Sequence, residues 1–167
     1  MNSMKEIRIE KVTLNVGTGE AGSKLEKAMK LLQNFSNQKP VATVTKKRIP
    51  TWGVRPGMSI GAKVTLRKNQ DKFVENMLSA IGNKLSEKKI GDGTFSFGIS
   101  EYIHVPGAKY DTSIGIIGFG IMVTLERKGF RVKKRIVGKS KIPQRHLISK
   151  QETINFLKDK FKTKIED

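Results

Sequence analysis

Polar and apolar residues alternate from Ile7 to Val16, with Val12, Leu14 and Val16 on one face and Lys11, Thr13 and Asn15 on the other. That period of two predicts a half-buried strand. Gly17 to Gly22 reads as a turn. Ser23-Lys24-Leu25-Glu26 then has the spacing of a capping box, in which hydroxyl and carboxylate satisfy orphan amides at a helix start. Leu25, Ala28, Met29, Leu32 and Phe35 follow at helical spacing, and the helix is expected to stop before Pro40. Alternation resumes from Val41 to Lys47, with Ala42 and Val44 opposite Val41, Thr43, Thr45 and Lys47. Ile49 to Met58 holds prolines and glycines and reads as a loop. Ile60 to Arg67 is a third strand: Ala62, Val64 and Leu66 face in, and Lys63, Thr65 and Arg67 face out.

Phe73, Val74, Met77, Leu78, Ile81 and Leu85 mark a second amphipathic helix. Phe95, Phe97 and Ile99 alternate as a short strand, and Val105-Pro106-Gly107 is a turn. Ile116 to Glu126 is a strong strand. Arg127-Lys128-Gly129 reads as a hairpin loop with glycine in the left-handed position, and Phe130 to Val137 as the returning strand. Ser149-Lys150-Gln151-Glu152 is a second capping box, opening a last helix with the stripe Ile154, Leu157, Phe161 and Ile165. Helices mixed with a mainly antiparallel sheet predict an α+β fold, with helices on one sheet face and the other face open. No repeat or linker interrupts residues 1–167, so one domain is expected over that whole length. The open face would present Lys11, Thr13, Asn15, Thr43, Thr45, Lys47, Lys63, Thr65 and Arg67, with no acid among them.

Charge turns that face into a functional expectation. The chain carries 33 Lys and Arg against 15 Asp and Glu, a net charge of +18. No acid lies between Lys27 and Gln70, where ten bases do: Lys27, Lys30, Lys39, Lys46, Lys47, Arg48, Arg55, Lys63, Arg67 and Lys68. A second acid-free block runs from Arg127 to Lys150 and also holds ten: Arg127, Lys128, Arg131, Lys133, Lys134, Arg135, Lys139, Lys141, Arg145 and Lys150. Such fields repel themselves and imply a polyanionic partner, for which a nucleic-acid backbone is the natural candidate. There is no cysteine, so disulfides and thiolate chemistry are excluded. No signal-like or membrane-length apolar run occurs, and a cytoplasmic location with no membrane partner is expected.

Candidate chemistry is sparse. Gly17-Thr18-Gly19-Glu20-Ala21-Gly22 matches the glycine pattern of dinucleotide-binding turns, but the region about 20 residues on has no acid for a ribose. A better reading has this backbone approaching an RNA phosphate beside a helix N-terminus. His104 and His146 lack ligand-spaced companions, so no metal is expected, and no catalytic residue or cofactor is. Lys46-Lys47-Arg48 abuts the polar face, and Trp52 is placed in a basic loop where it could stack on a base or sugar. Two rival readings stand beside a single RNA-binding domain: a dinucleotide-dependent enzyme using Gly17 to Gly22, and a non-specific DNA binder.

The linked motifs Lys11-Val12-Thr13-Leu14-Asn15-Val16-Gly17, Gly19-Glu20-Ala21, Asn37-Gln38-Lys39-Pro40, Thr45-Lys46-Lys47, Arg55-Pro56-Gly57, Ile60-Gly61 and Lys63-Val64-Thr65-Leu66-Arg67 resemble the universal large-subunit ribosomal protein five family. Phe95-Ser96-Phe97-Gly98-Ile99, Ile103-x-Val105-Pro106-Gly107 and Ile142-Pro143-x-Arg145-His146 resemble its archaeal and eukaryotic branch. The resemblance implies a non-enzymatic ribosomal protein whose polar sheet face grips 5S rRNA in the central protuberance. Positions matching the family's RNA-facing motif are Asn15, Gln38, Trp52 and Thr65. Asn37 stands where the family often has glycine, and Trp52 where it often has phenylalanine. With the face and base run, the expected rRNA-binding set is Lys11, Thr13, Asn15, Gln38, Thr43, Thr45, Lys46, Lys47, Arg48, Trp52, Lys63, Thr65 and Arg67. The family's loop toward the peptidyl-site tRNA corresponds to Ile49–Met58, including Arg55, Pro56 and Gly57. A contact with a small-subunit head protein would fall in Val105–Gly118. Large-subunit rRNA and neighbouring large-subunit proteins complete the implied partners.

Overall fold

Wherever alternation is cleanest, the backbone pairs as a sheet. A computed structural model describes residues 2–20 and 22–166. Its strands are β1 (Ile7–Gly17), β2 (Val41–Val44), β3 (Ser59–Leu66), β4 (Lys84–Ser86), β5 (Ile90–Gly91), β6 (Thr94–Ile99), β7 (Phe119–Arg127) and β8 (Lys164–Glu166). Six of them form one sheet in the order β2-β3-β1-β7-β6-β5, antiparallel at β2–β3 and β5–β6. The other two, β4 and β8, form a small parallel pair. The helices are α1 (Ser23–Ser36), α2 (Gln70–Ser79), the single turn α3 (Arg131–Lys134) and α4 (Lys150–Phe161). The class is α+β, as the pattern predicts. No helix of the described residues is long and apolar enough to cross a membrane.

The chain divides into two compact units, residues 13–66 with 98–121 and residues 1–12, 67–97 and 122–167. In the first, α1 packs on β3 and β2. Leu14, Val16, Ala62, Val64 and Leu66 are buried, as are Ala28, Leu31 and Leu32 of the helix. Each large aliphatic of this kind contributes about 1.5–3 kcal/mol by leaving water. Phe35 meets Tyr102 edge-on at 6.2 Å and Phe119 at 5.5 Å between ring centroids. The Tyr102 hydroxyl accepts from the Asp111 amide at 2.9 Å, so this buried phenol has a polar partner.

In the second unit α4 packs on β5, and Phe95, Phe97, Val123, Leu125, Leu157 and Phe161 are buried. The expected capping box at Ser149 is formed: Glu152 N–H donates to Ser149 Oγ at 3.4 Å, and Ser149 N–H donates to Glu152 Oε2 at 3.1 Å. Thr153, fully buried one residue on, accepts from the Gly93 amide at 3.1 Å and donates to the Ser149 carbonyl at 3.0 Å. That pair ties the helix start to the β5–β6 turn.

Several expectations are corrected. Gly22, with φ +116°, caps α1 through its backbone, and Ser23 is already the first helical residue, so the first capping box is not made. The second helix ends at Ser79 because Gly82 and Asn83 both take left-handed conformations, which puts Leu85 on β4. Lys162, also left-handed, ends α4 and leaves Ile165 on β8. Phe130–Val137 is no strand. The amides of Val132 and Lys133 bond back to the carbonyls of Gly129 and Phe130, and the chain coils instead of pairing. Gly129 does have φ +96°, but it leads into α3.

Gly61 sets how closely β2 can lie over β3. A Cβ there would sit 2.7 Å from the Val16 carbonyl oxygen and 2.8 Å from Thr43 Oγ1. Gly61→Ala is therefore expected to cost about 1–3 kcal/mol, as overpacking does. Gly17→Ala, where a Cβ meets nothing within 4 Å, should be near neutral. Urea denaturation of the two variants checks this.

Candidate nucleic-acid interface

The interface begins with what the sheet leaves uncovered. On β1, Thr13 and Asn15 alternate with buried Leu14 and Val16, so they face away from α1 and the core. On β3, Lys63 and Thr65 alternate in the same way with Ala62, Val64 and Leu66. The register places Val41 opposite Lys63 and Thr43 opposite Gly61, so both β2 side chains share that open side. Lys63 and Asn15 are exposed, and Thr13, Thr43 and Thr65 are half-buried. Lys11 on β1 and Arg67 just after β3 belong to the other unit, Lys11 half-buried and Arg67 exposed.

The expected alternation fails at one step. The β2–β3 register shifts between Thr43 and Val44, which pairs with Ser59. A bulge of this kind advances the pleat by one residue. Val44, expected to point inward, is 55% exposed, and Val41 is 59% exposed. Thr45 is turned into the following loop, where its hydroxyl donates to the Arg55 carbonyl at 2.6 Å and its amide to the Met58 carbonyl at 2.9 Å. Thr45 therefore closes the loop neck rather than offering a free hydroxyl on the face. Val41 lies on the side the alternation gives it, and Val44 is the face member that the alternation misplaces. Valine in a strand reads as core, and only the bulge turns Val44 outward.

Above that neck, Pro50–Trp52 makes a single 3-10 turn, and Ile49 and Val54 exchange backbone hydrogen bonds at 2.9 and 3.1 Å. Val54 is buried and pins the loop, while Trp52 is 69% exposed. Lys46, Lys47, Arg48, Arg55, Pro56 and Gly57 are exposed around it, and Gln38 is exposed after the left-handed Asn37 that ends α1. An indole held on a backbone-bonded turn among cations has the geometry of a stacking platform. At the glycine turn, the amides of Thr18 and Gly19 both donate to the Ile60 carbonyl, at 3.0 and 3.3 Å. Those donors are spent within the fold, which weighs against both a pyrophosphate and an RNA phosphate at these two residues. Ala21 lies outside the described residues.

The two acid-free blocks differ once folded. Among the described residues none of the ten bases from Lys27 to Lys68 makes an ion pair; Lys30 only lends a long-range pull to the Asp111 carboxyl. In the second block, Arg127 pairs with Glu152, Lys128 with Glu6, Lys134 with both Glu10 and Glu126, and Lys150 with Glu87. Arg127 is buried, and its Nε has no hydrogen-bond partner, so Glu152 both caps α4 and anchors this guanidinium. Glu126 is buried as well. Burial pushes its carboxyl up, but hydrogen bonds from Lys134 and Arg8 outweigh that and hold it below the usual glutamate range. Burial likewise pushes the Lys134 ammonium down, and Glu10 and Glu126 reverse it. His146 is engaged within the fold: its Nε2 lies 2.9 Å from the Lys128 carbonyl oxygen. His104 is exposed on a 3-10 turn.

An α+β scaffold whose open face and adjoining loop carry unpaired bases, hydroxyls, amides and an exposed indole, with no carboxylate, has the architecture of an RNA-binding scaffold protein. Comparison with known proteins agrees. The family model "Ribosomal protein L5" matches residues 2–55, and the model of the same family's C-terminus matches residues 59–156. The large ribosomal subunit protein uL5 of Nanoarchaeum equitans is 46% identical over 164 residues, 97% of each chain. That of Sulfurisphaera tokodaii is 45% identical over 168 residues, 99% of this chain and 95% of its own. The chain belongs to the ribosomal protein L5 family, whose members are structural constituents of the large ribosomal subunit.

The Glu126 cluster makes acid stability testable. A carboxyl held low in the folded state contributes stability that is present above its unfolded pKa and lost as pH falls through the lower folded one. Glu126→Gln should cost on the order of 1–2 kcal/mol at pH 7, because Arg8 and Lys134 stay partly solvated. The difference from the parent protein should shrink toward zero as pH falls below the glutamate range. Denaturation midpoints measured from pH 7 to pH 3 check it.

Proposed function

We propose that the open face built from Thr13, Asn15, Thr43, Lys63 and Thr65 binds 5S rRNA, with Lys46, Lys47, Arg48 and Gln38 extending the contact. In the other unit, taken by itself, Lys11 and Arg67 are candidate phosphate contacts. The observation that carries the reading is the absence of any ion pair on the first basic block among the described residues. Its charge is uncompensated within the fold and available to phosphates. Lys and Arg would set affinity by counterion release, and Thr and Asn would meet ribose hydroxyls and backbone. Thr45 serves by holding the loop neck. Val41 and Val44 give the face an apolar strip on which sugars and base edges can lie.

The protein works as a non-catalytic part of the large subunit, with large-subunit rRNA and neighbouring subunit proteins around it. The Ile49–Met58 loop reaches the peptidyl-site tRNA through Arg55, Pro56 and Gly57. The stretch Val105–Gly118 faces a small-subunit head protein. Supporting these assignments are an exposed loop tip with a fixed neck and, in Val105–Gly118, the exposed side chains Tyr110 and Ile116.

Asn15→Ala and Thr65→Ala should each weaken 5S rRNA binding by about 1 kcal/mol, as for one hydrogen bond, with unchanged melting. Affinity of the parent should fall steeply with salt, and both variants should keep that slope, since neither removes a cation. Filter binding across a salt series reads both quantities. Unchanged affinity in both variants would move the site off this face. Arg55→Ala is expected to leave 5S binding intact while reducing peptidyl-site tRNA retention on reconstituted ribosomes. Loss of the 5S complex itself would reassign the loop to that RNA.

A further inference from the structure

Between α3 and α4 the chain runs from Arg135 to Ser149 with only one 3-10 turn, at Gln144–His146. Both ends are clamped. Lys134 pairs with Glu10 and Glu126 at one end, and at the other Lys150 pairs with Glu87 while its amide donates to Asp92 at 2.9 Å. Between the clamps lie Arg135, Lys139, Lys141 and Arg145, all exposed and none in an ion pair among the described residues. The tip is a built turn: Arg135 Nε donates to the Gly138 carbonyl at 2.6 Å, Gly138 has φ +63°, and the Ser140 amide donates to the Val132 carbonyl at 3.2 Å. It carries Ile136 and Val137 at 97% and 86% exposure, the two most exposed large apolar side chains described. Lys133, Lys139, Ser140, Lys141, Ile142 and Leu147 line an open hollow of about 470 Å³.

Two aliphatics on a fixed turn cost free energy in water unless something covers them, and a few hundred Å³ is the size of a small-ligand site. The charged side chains of the arm between its clamps are all positive, which favours a polyanion with apolar faces over an apolar protein surface. We propose that this arm is a second RNA contact, separate from the sheet face, which takes an unpaired nucleotide of large-subunit rRNA. Its base lies on Ile142 and Leu147, its phosphates meet Lys133, Lys139 and Lys141, and Ile136 and Val137 rest against the neighbouring bases. Unstacked, splayed bases are what proteins read in RNA, and aliphatic wedges are a known way to hold them. The proposal rests on the reading of the protein as an rRNA binder, but not on which RNA the sheet face holds.

The test is hydroxyl-radical footprinting of reconstituted large-subunit RNA with 5S rRNA. The proteins compared are the full-length parent, a Lys139→Ala/Lys141→Ala variant, an Ile136→Ser/Val137→Ser variant and the sheet-face variant Asn15→Ala. The four substituted arm positions are exposed, and circular dichroism with thermal melting confirms folding. The parent should protect two separate tracts. Both arm variants should lose one tract, with affinity for a fragment carrying it down about tenfold, and the lysine variant should lower the salt slope by about 2. Asn15→Ala should weaken only the other tract. Footprints of the arm variants identical to the parent would overturn the proposal, as would a photo-cross-linker at Val137 that captures a protein and no RNA. A parent that protects no RNA at all would instead overturn the underlying reading of the whole protein.

Discussion

The open sheet face of this chain depends on the pleat of a β-strand. Successive side chains leave the backbone on opposite sides, so β1 can bury Leu14 and Val16 while presenting Thr13 and Asn15. On β3 the same constraint buries Ala62, Val64 and Leu66 beneath α1 and leaves Lys63 and Thr65 uncovered. One side is held by the hydrophobic effect, and this is what leaves the other side free to be polar. A flat, exposed, hydrogen-bonding face of strand residues suits a ligand recognised by shape and backbone, as folded RNA is.

Charge is managed differently in the two units. In residues 13–66 the bases of the acid-free block have no carboxylate partner among the described residues, and their mutual repulsion is tolerated by a fold whose core lies on the far side of the sheet. In the other unit, acids from distant segments enter to neutralise part of the basic block. Glu126, Glu10, Glu152, Glu87 and Glu6 take Lys134, Arg127, Lys150 and Lys128, and so hold the end of α3 and the start of α4. What these pairs leave over is concentrated on one clamped arm. Uncompensated charge thus marks the surfaces held ready for a partner, and compensated charge marks the structural joints.

The loop after β2 shows how local detail becomes geometry. One bulge at Thr43/Val44 turns Val44 outward and Thr45 into the loop neck, where it bonds Arg55 and Met58. Gly61 permits the close approach that lets Thr43 lie across β3. Val54 anchors the same loop to the core, so that Trp52 is exposed yet positioned.

By itself the sequence determined the class of fold, the buried faces of β1, β3 and β6, the second capping box, and the basic, acid-free character of the open sheet face. All of these are local or additive: period two, helical spacing, and a count of charges. The linked motifs that resemble the family are local in the same sense. Only the tertiary structure decided the bulge in β2, the ends of α2 and α4 at left-handed residues, and the coiling of Phe130–Val137 where a strand was expected. Those outcomes rest on which carbonyl each amide finds, a nearby one at Val132, Lys133, Asn83 and Lys162 and the facing strand's at the bulge, and side-chain periodicity does not reveal that choice. Tertiary structure also separated two blocks that look alike in sequence, each with ten bases and no acid. Ion pairing requires a carboxylate near in space, and the nearest ones to Arg127, Lys134 and Lys150 come from other elements of the chain.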